Sequence, residues 1–177
     1  MPGTLGGRLQ LLNILVVAAT LAALGSTVRL ATAQNEDGAG IVFSKNASSA
    51  DVGLPVYPGA KPHKDPGSDT DAARFGLWGG AFGLKLAVIE FQSSDGPAKI
   101  AHYYRKALSK YGTVLDCTNG GPVHDDSSNA LACDDKPAKN GGFVFKAGTK
   151  EKQHIVEIEP NESGSTFALL YLRTKGD

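Results

Sequence analysis

Residues 84–111, LKLAVIEFQSSDGPAKIAHYYRKALSKY, join a strand pattern to a helix pattern and so decide the fold. Residues 84–92 are mostly apolar at both odd and even positions, which predicts a strand with two largely apolar faces. The second part carries apolar side chains at the spacing of one helical face, namely Ile100, Tyr103, Tyr104, Ala107, Leu108 and Tyr111. Such a helix, so soon after a strand, is expected to pack its stripe against a sheet.

The ends of this helix carry residues that favour helix boundaries. Ser94 or Asp95 is expected to supply the side-chain oxygen of the N-cap. Pro97 suits the first turn, where its missing N–H would have no partner, and Gly112 suits the position after the last turn. We therefore predict a helix over residues 97–111.

Further strand patterns lie on both sides of this unit. They cover residues 113–117, 143–147, 153–159 and 166–173, while the glycine-rich residues 76–83 indicate either a partner strand with a turn or a close backbone approach. Residues 166–173 are apolar on both sides, which predicts a central position in the sheet. The predicted fold class is α+β, an antiparallel β-sheet of about five to six strands with one main amphipathic helix packed on one face.

The first 33 residues differ from the rest of the chain. Arg8 precedes the apolar stretch Leu11–Leu24, and Ala31-Thr32-Ala33 forms a small-x-small site before Gln34. This order is typical of a cleaved signal peptide, so we expect a secreted or periplasmic protein. The alternative is that residues 9–28 form an uncleaved anchor, because they are about long enough to cross a bilayer. The protein would then be N-terminally membrane-anchored and would face the non-cytoplasmic side.

Three segments are predicted along the chain. Residues 1–33 are the signal peptide, and residues 34–51 are a flexible polar leader, since they lack the periodic apolar residues that would offset the entropy of ordering. Residues 52–177 form a single α+β domain. Eighteen basic residues balance eighteen acidic ones without any block of like charge, which argues against a nucleic-acid partner.

Cys117 and Cys133 are the only cysteines in the chain. An even count in an exported chain predicts one disulfide bond. The bridge would close residues 118–132, which are rich in Gly, Asn, Asp and Ser. A redox or metal-binding pair is the alternative, and the spacing does not favour it because it is far from C-x-x-C.

Three sequence motifs resemble a family of uncharacterised exported bacterial proteins. They are LPVYPGA at residues 54–60, IAHYYRKAL at residues 100–108, and KAGTK at residues 146–150 followed by HIV at residues 154–156. The resemblance spans residues 52–173, and its motifs are turn and packing signals. It implies a bacterial envelope location, and it implies no activity, substrate or catalytic residue.

No pattern of catalytic or metal-binding residues occurs in the sequence. The four histidines belong to no zinc motif, G-x-S-x-G is absent, and the glycines match no phosphate loop, so we expect no cofactor. Oxygen-rich loops bind calcium, and the weak candidates for a metal site are Asp116, His124, Asp125 and Asp134. Aspartate pairs more often decorate turns, so we expect no metal site.

Three aromatic residues are the candidates for ligand binding. Trp78 lies among glycines, Tyr57 lies beside two prolines, and Tyr104 lies on the predicted helix. They predict a platform that stacks a sugar or a peptide. Core packing is the alternative for Tyr104, and for Trp78 the two interpretations are evenly matched.

The sequence thus predicts a non-enzymatic envelope protein that binds a protein, peptide or sugar ligand through an exposed sheet edge or a groove at Trp78. The membrane would be a partner only through an uncleaved signal segment. One alternative is a small secreted hydrolase that uses His124 with the nearby aspartates. Another is a structural component of the envelope.

Overall fold

One antiparallel β-sheet and two helices form the computed structural model of the chain, which describes residues 39–64, 67, 69–121, 130–133, 137–138 and 141–175. The strands are β1 (Gly40–Ser44), β2 (Lys61–Pro62), β3 (Ala72–Gly79), β4 (Phe82–Ser93), β5 (Leu115–Asp116), β6 (Phe143–Thr149), β7 (Lys152–Asn161) and β8 (Gly164–Lys175). The helices are α1 (Ser49–Val52) and α2 (Pro97–Leu108), and Ser109–Tyr111 adds a 3₁₀ turn. The order of neighbouring strands is β1-β3-β4-β8-β7-β6-β5, with β2 paired to β4.

The α+β class is confirmed, but the sheet has eight strands among the described residues, where about five to six were predicted. Part of the difference lies in residues 34–51, predicted as a flexible leader, because they contain β1 and α1. These residues form a strand although they lack a buried apolar face, because an edge strand is held by the backbone hydrogen bonds to its one neighbour. Ile41 pairs with Leu77 and Phe43 with Phe75, yet Ile41 is 70% exposed.

The two longest strands, β4 and β8, pair through eleven of their twelve residues at the centre of the sheet. Their register runs from Gly83 opposite Lys175 to Ser93 opposite Ser165. β8 also pairs with β7, so it lies between two long strands, as its apolar character on both sides predicts. Because β4 belongs to the first half of the chain and β8 to its end, this pairing joins the two halves of the fold.

Helix α2 packs its predicted stripe on one face of the sheet, which we call the helix face. Ile100, Tyr104 and Leu108 are completely buried there. The helix ends at Leu108 and continues as the 3₁₀ turn to Tyr111, which shortens the predicted helix by one turn. The predicted N-cap oxygen of Ser94 or Asp95 is not used, since Gly96 occupies the N-cap and caps with no side chain.

Large apolar side chains of the central strands fill the space under α2. Phe91 stacks on Phe167 with ring centroids 5.6 Å apart, and Tyr104 lies 5.6 Å from the same Phe167 ring. Leu169 and Val156 continue this layer toward β7, and both are completely buried. The hydrophobic core therefore lies between α2 and strands β4, β8, β7 and β6.

The opposite face of the sheet, which we call the open face, is also largely apolar. Alternation along the strands places on it side chains that are only partly buried, namely Phe75, Leu77, Leu84, Leu86, Val88, Ile155, Leu170 and Leu172. Within the described part of the chain, both helices contact the helix face. The central strands are therefore apolar on two faces, and the helices of the described residues cover one of them.

The predicted disulfide joins Cys117 to Cys133, whose Cα atoms are 5.2 Å apart. Cys117 follows β5 at the edge of the sheet, and its N–H donates a hydrogen bond to the carbonyl of Val144 in β6. Strand β5 has only two residues, which is shorter than the predicted strand over 113–117. The bridge therefore fastens the connection after β5 to the sheet edge, where backbone pairing is shortest.

Candidate ligand groove

A groove with a volume of about 470 Å³ opens on the molecule at the ends of β3, β4 and β8, beyond the part of the helix face that α2 covers. We call it the Trp78 groove. Its lining consists of helix-face residues, namely Val42, Arg74, Gly76, Trp78, Gly83, Lys85, Arg173 and Lys175, together with the intervening Phe75, Leu77 and Leu84, whose side chains alternate to the open face. Its volume lies in the range of small-molecule sites, about 300–1,000 Å³. The groove is therefore large enough for a small organic ligand.

Trp78 owes its exposure to the glycines opposite it. Its register partners are Gly40 on β1 and Gly83 on β4, so neither neighbouring strand presents a side chain beside the indole. A Cβ atom on Gly40 would overlap the indole ring, which shows that the ring packs directly on the Gly40 backbone. The rest of the side chain stays open, and Trp78 is 47% exposed. The ring is thus held in place on one side and accessible on the other.

Three basic side chains stand side by side across the central strands. Arg173 on β8 lies directly opposite Lys85 on β4 and directly opposite Lys152 on β7. We call Lys85, Arg173 and Lys152 the basic ladder. Like charges at directly opposite positions destabilise a sheet, so this arrangement has a cost in the free protein. The ion pairs of the described residues involve none of the three, and Lys85 instead places its Nζ 5.7 Å from the Tyr171 ring.

Arg74, at the other end of the groove, does have a carboxylate partner. Its Nη1 lies 2.9 Å from Oδ1 of Asp51, the acidic residue of α1. The Ser48 hydroxyl and Arg74 both bind this carboxylate, and they lower the pKa of Asp51. Arg74 therefore fastens α1 to the groove wall, and its charge is balanced within the protein.

Tyr57 and Tyr104, the other predicted binding residues, lie in the core and do not line the groove. The N–H of Tyr57 donates to Oη of Tyr104 at 3.1 Å, and Tyr104 Oη donates to the Pro55 carbonyl at 3.1 Å. Burial raises the pKa of the Tyr104 hydroxyl. Tyr57 Oη donates to Asp95 Oδ2 at 2.7 Å. These tyrosines hold the loop that contains the two prolines against α2, and Trp78 lies apart from them.

Of the weak metal candidates, only Asp116 lies among the described residues. It is 3.7 Å from Arg105 and accepts a hydrogen bond from the Thr118 N–H, so its carboxylate has partners. His124, Asp125 and Asp134 lie outside the described residues, and the hydrolase hypothesis that rests on His124 stays a prediction. The described part of the chain contains no group of three His, Cys, Asp or Glu side chains arranged for a metal ion.

His154 on β7 is buried under α1 and the 3₁₀ turn. Its Nδ1 lies 2.9 Å from the Val52 carbonyl, which makes Nδ1 the protonated nitrogen of a neutral ring. The ring stacks on Tyr111 with centroids 3.5 Å apart, and Nε2 has no hydrogen-bond partner. Burial lowers the pKa of His154. The residue therefore packs as a neutral side chain.

Comparison of the chain with protein-family models, with curated proteins and with solved structures gives no match. In the described ranges, no helix has the length and hydrophobicity needed to cross a bilayer. The Trp78 groove is therefore the feature of the described residues that points to a function. Sequence reasoning identified Trp78 but missed Lys85, Arg173 and Lys175, because only the β4–β8 register brings them together.

Proposed function

We propose that the protein is an exported, non-enzymatic binding module and that the Trp78 groove holds its ligand. One observation carries this proposal: the half-exposed indole and several cationic side chains line a groove of ligand size. Small-molecule sites are typically concave and are lined by aromatic and apolar side chains with a few polar groups, as this groove is. The indole offers the ligand a flat apolar surface, and the basic groups would fix the orientation of the ligand.

Export is part of this proposal. The signal-like order of residues 1–33 supports it, and the Cys117–Cys133 disulfide is compatible with an oxidising compartment outside the cytoplasm. N-terminal sequencing of the protein recovered from the periplasm or medium of an expressing bacterium is expected to begin at Gln34. Recovery of the full-length chain in the membrane fraction would support the anchored alternative, and recovery in the cytoplasm with reduced cysteines would contradict export.

Strand β1 offers a second route for a protein or peptide partner. It is an edge strand, and its residues Ile41, Val42 and Phe43 are 70%, 50% and 55% exposed. Edge strands usually carry charges or prolines that prevent pairing, and β1 carries neither. An extended peptide could add to this edge by backbone hydrogen bonds. The groove remains the favoured site because it combines shape with polar groups.

The chain has a single tryptophan, so its fluorescence reports only on the groove. The purified protein is titrated with members of four classes: oligosaccharides, short peptides, and anionic and cationic amphiphiles. We expect at least one class to shift the emission of Trp78 to shorter wavelength and to raise the melting temperature.

The matched control uses two aromatic residues of equal exposure. Trp78 is 47% and Phe82 is 48% exposed, and Phe82 is the first residue of β4 and does not line the groove. Trp78→Ala is expected to abolish the ligand-induced rise in melting temperature, whereas Phe82→Ala is expected to keep it. If no class shifts emission or melting temperature, the proposed function is wrong. Retention of the rise in Trp78→Ala would place binding outside the groove, and an equal loss in both variants would contradict a specific role of Trp78.

A further inference from the structure

The charged residues of the three central strands β4, β7 and β8 are segregated by face, whereas on the outer strands Lys146 of β6 lies on the open face and Asp116 of β5 on the helix face. The acidic residues of the central strands, Glu90, Glu157 and Glu159, lie on the open face by strand alternation. The basic ladder lies on the opposite, helix face. The chain as a whole has equal numbers of acidic and basic residues, so composition does not explain this separation. Among the described residues, the helix face beyond α2 therefore presents positive charge that no carboxylate balances, except at Arg74, which binds Asp51.

The groove itself repeats this imbalance. Four of its lining side chains are basic and none is acidic. Arg74 is neutralised by Asp51, whereas no described carboxylate forms an ion pair with Lys85, Arg173 or Lys175. A solvated lysine can leave a crowded position because its side chain is flexible, but the β4–β8 register fixes the Cα atoms of Lys85 and Arg173 opposite each other. An anion between them would remove the repulsion and bind both.

The other side of the groove is apolar. Trp78 and Val42 are 47% and 50% exposed, and both lie on the helix face next to glycine backbone. A ligand that fills the groove therefore meets a cationic end and an apolar end. Resting on the proposed function, we infer that the ligand is an anionic amphiphile, with a phosphate or carboxylate head bound by Lys85 and Arg173. Its acyl chain or ring would lie on Trp78.

The test compares four probes below their micelle concentrations. Dodecyl phosphate carries both parts, dodecyl maltoside has a neutral head, dodecyltrimethylammonium has a cationic head, and inorganic phosphate has no chain. Emission of Trp78 is followed during each titration. We expect dodecyl phosphate to bind at least about tenfold more tightly than the other three, since a hydrogen bond to a charged group is worth that much. The affinity for dodecyl phosphate is expected to fall several-fold when the salt concentration is raised from roughly 20 to roughly 200 mM, because the Debye length shortens and exposed charges are screened.

Substitution of the ladder gives the second arm. Lys85→Gln with Arg173→Gln is expected to weaken dodecyl phosphate about tenfold or more and to leave the neutral probe unchanged. The control is Lys106→Gln, an exposed lysine on α2 that does not line the groove. Circular dichroism and melting temperature establish that the double variant is folded, and relief of like-charge repulsion is expected to keep it at least as stable. The salt titration of the unsubstituted protein decides the question if the variant does not fold.

The outcomes separate this inference from the proposed function. Equal binding of neutral and anionic probes, or salt-independent binding of dodecyl phosphate, would overturn the anionic ligand and leave the groove as a binding site. Failure of every ligand class to perturb Trp78 would remove both. Sedimentation with phosphatidylglycerol but not phosphatidylcholine vesicles would assign the head group to a membrane lipid. Binding of dodecyl phosphate without vesicle binding would assign it to a free amphiphile.

Discussion

Tyr104→Phe tests whether the loop over residues 54–60 is held by a buried hydroxyl. Tyr104 is completely buried, and its Oη accepts from the Tyr57 N–H and donates to the Pro55 carbonyl, both at 3.1 Å. Phenylalanine keeps the ring contacts with Phe167 but leaves a buried N–H without a partner. An unsatisfied buried donor costs about 1–3 kcal/mol, so we expect the free energy of unfolding to fall by about 2 kcal/mol.

The neighbouring tyrosine supplies the control. Tyr103 Oη makes one long bond, 3.3 Å to the Val56 carbonyl, at an exposed position. Tyr103→Phe is therefore expected to change the free energy of unfolding by less than about 0.5 kcal/mol. Urea denaturation followed by far-UV circular dichroism measures both variants. The reasoning is refuted if the two substitutions cost the same, or if Tyr104→Phe costs less than about 0.5 kcal/mol, since a buried donor left unpaired costs more than that.

Three further predictions concern pH, the disulfide and the indole. Burial holds the pKa of His154 in the folded protein below its ordinary value of 6.5, so the unfolded chain takes up the proton first as the pH falls. The free energy of unfolding should therefore decrease as the pH drops below 6.5. Urea titrations of His154→Gln should show a weaker dependence on pH. Cys117→Ser with Cys133→Ser should lower the free energy of unfolding by about 3 kcal/mol in urea, whereas an unchanged value would show that the bridge does not stabilise the fold. Gly40→Val should displace the Trp78 indole and move its emission, and an unmoved spectrum would contradict the packing of the ring on Gly40.

Local patterns predicted the elements of the fold that depend on near neighbours. Helix α2 follows from the spacing of Ile100, Tyr104 and Leu108, and the β6–β7 and β7–β8 hairpins follow from strand patterns separated by turn residues. Strand β1 did not follow, because its apolar residues are exposed and its pairing with β3 crosses about thirty residues of chain. An exposed edge strand lacks the alternation of buried and exposed residues from which a strand is predicted.

In the candidate site, too, features set by neighbours in sequence were predictable and features set by distant strand pairing were not. Trp78 among glycines was visible in the sequence, because glycines deprive a ring of neighbouring cover. The basic ladder was not, because Lys85 and Arg173 meet only through a pairing between distant strands, and single-sequence periodicity does not specify register. Tyr57 and Tyr104 are residue types common in binding sites, yet their hydroxyl groups make hydrogen bonds within the protein.

The β4–β8 pairing also determines when the groove comes into existence. Lys85 lies on the last strand of the first half of the fold and Arg173 on the last strand of the second half, so neither half carries the site. Such long-range pairing closes late in folding because the entropy of a long loop must be overcome first. An anion that binds both Lys85 and Arg173 would stabilise the pairing of β4 with β8 and slow the separation of these two strands. Wherever proteases degrade the opened form, an occupied protein would then outlast an empty one, and ligand supply would set how much of the protein persists.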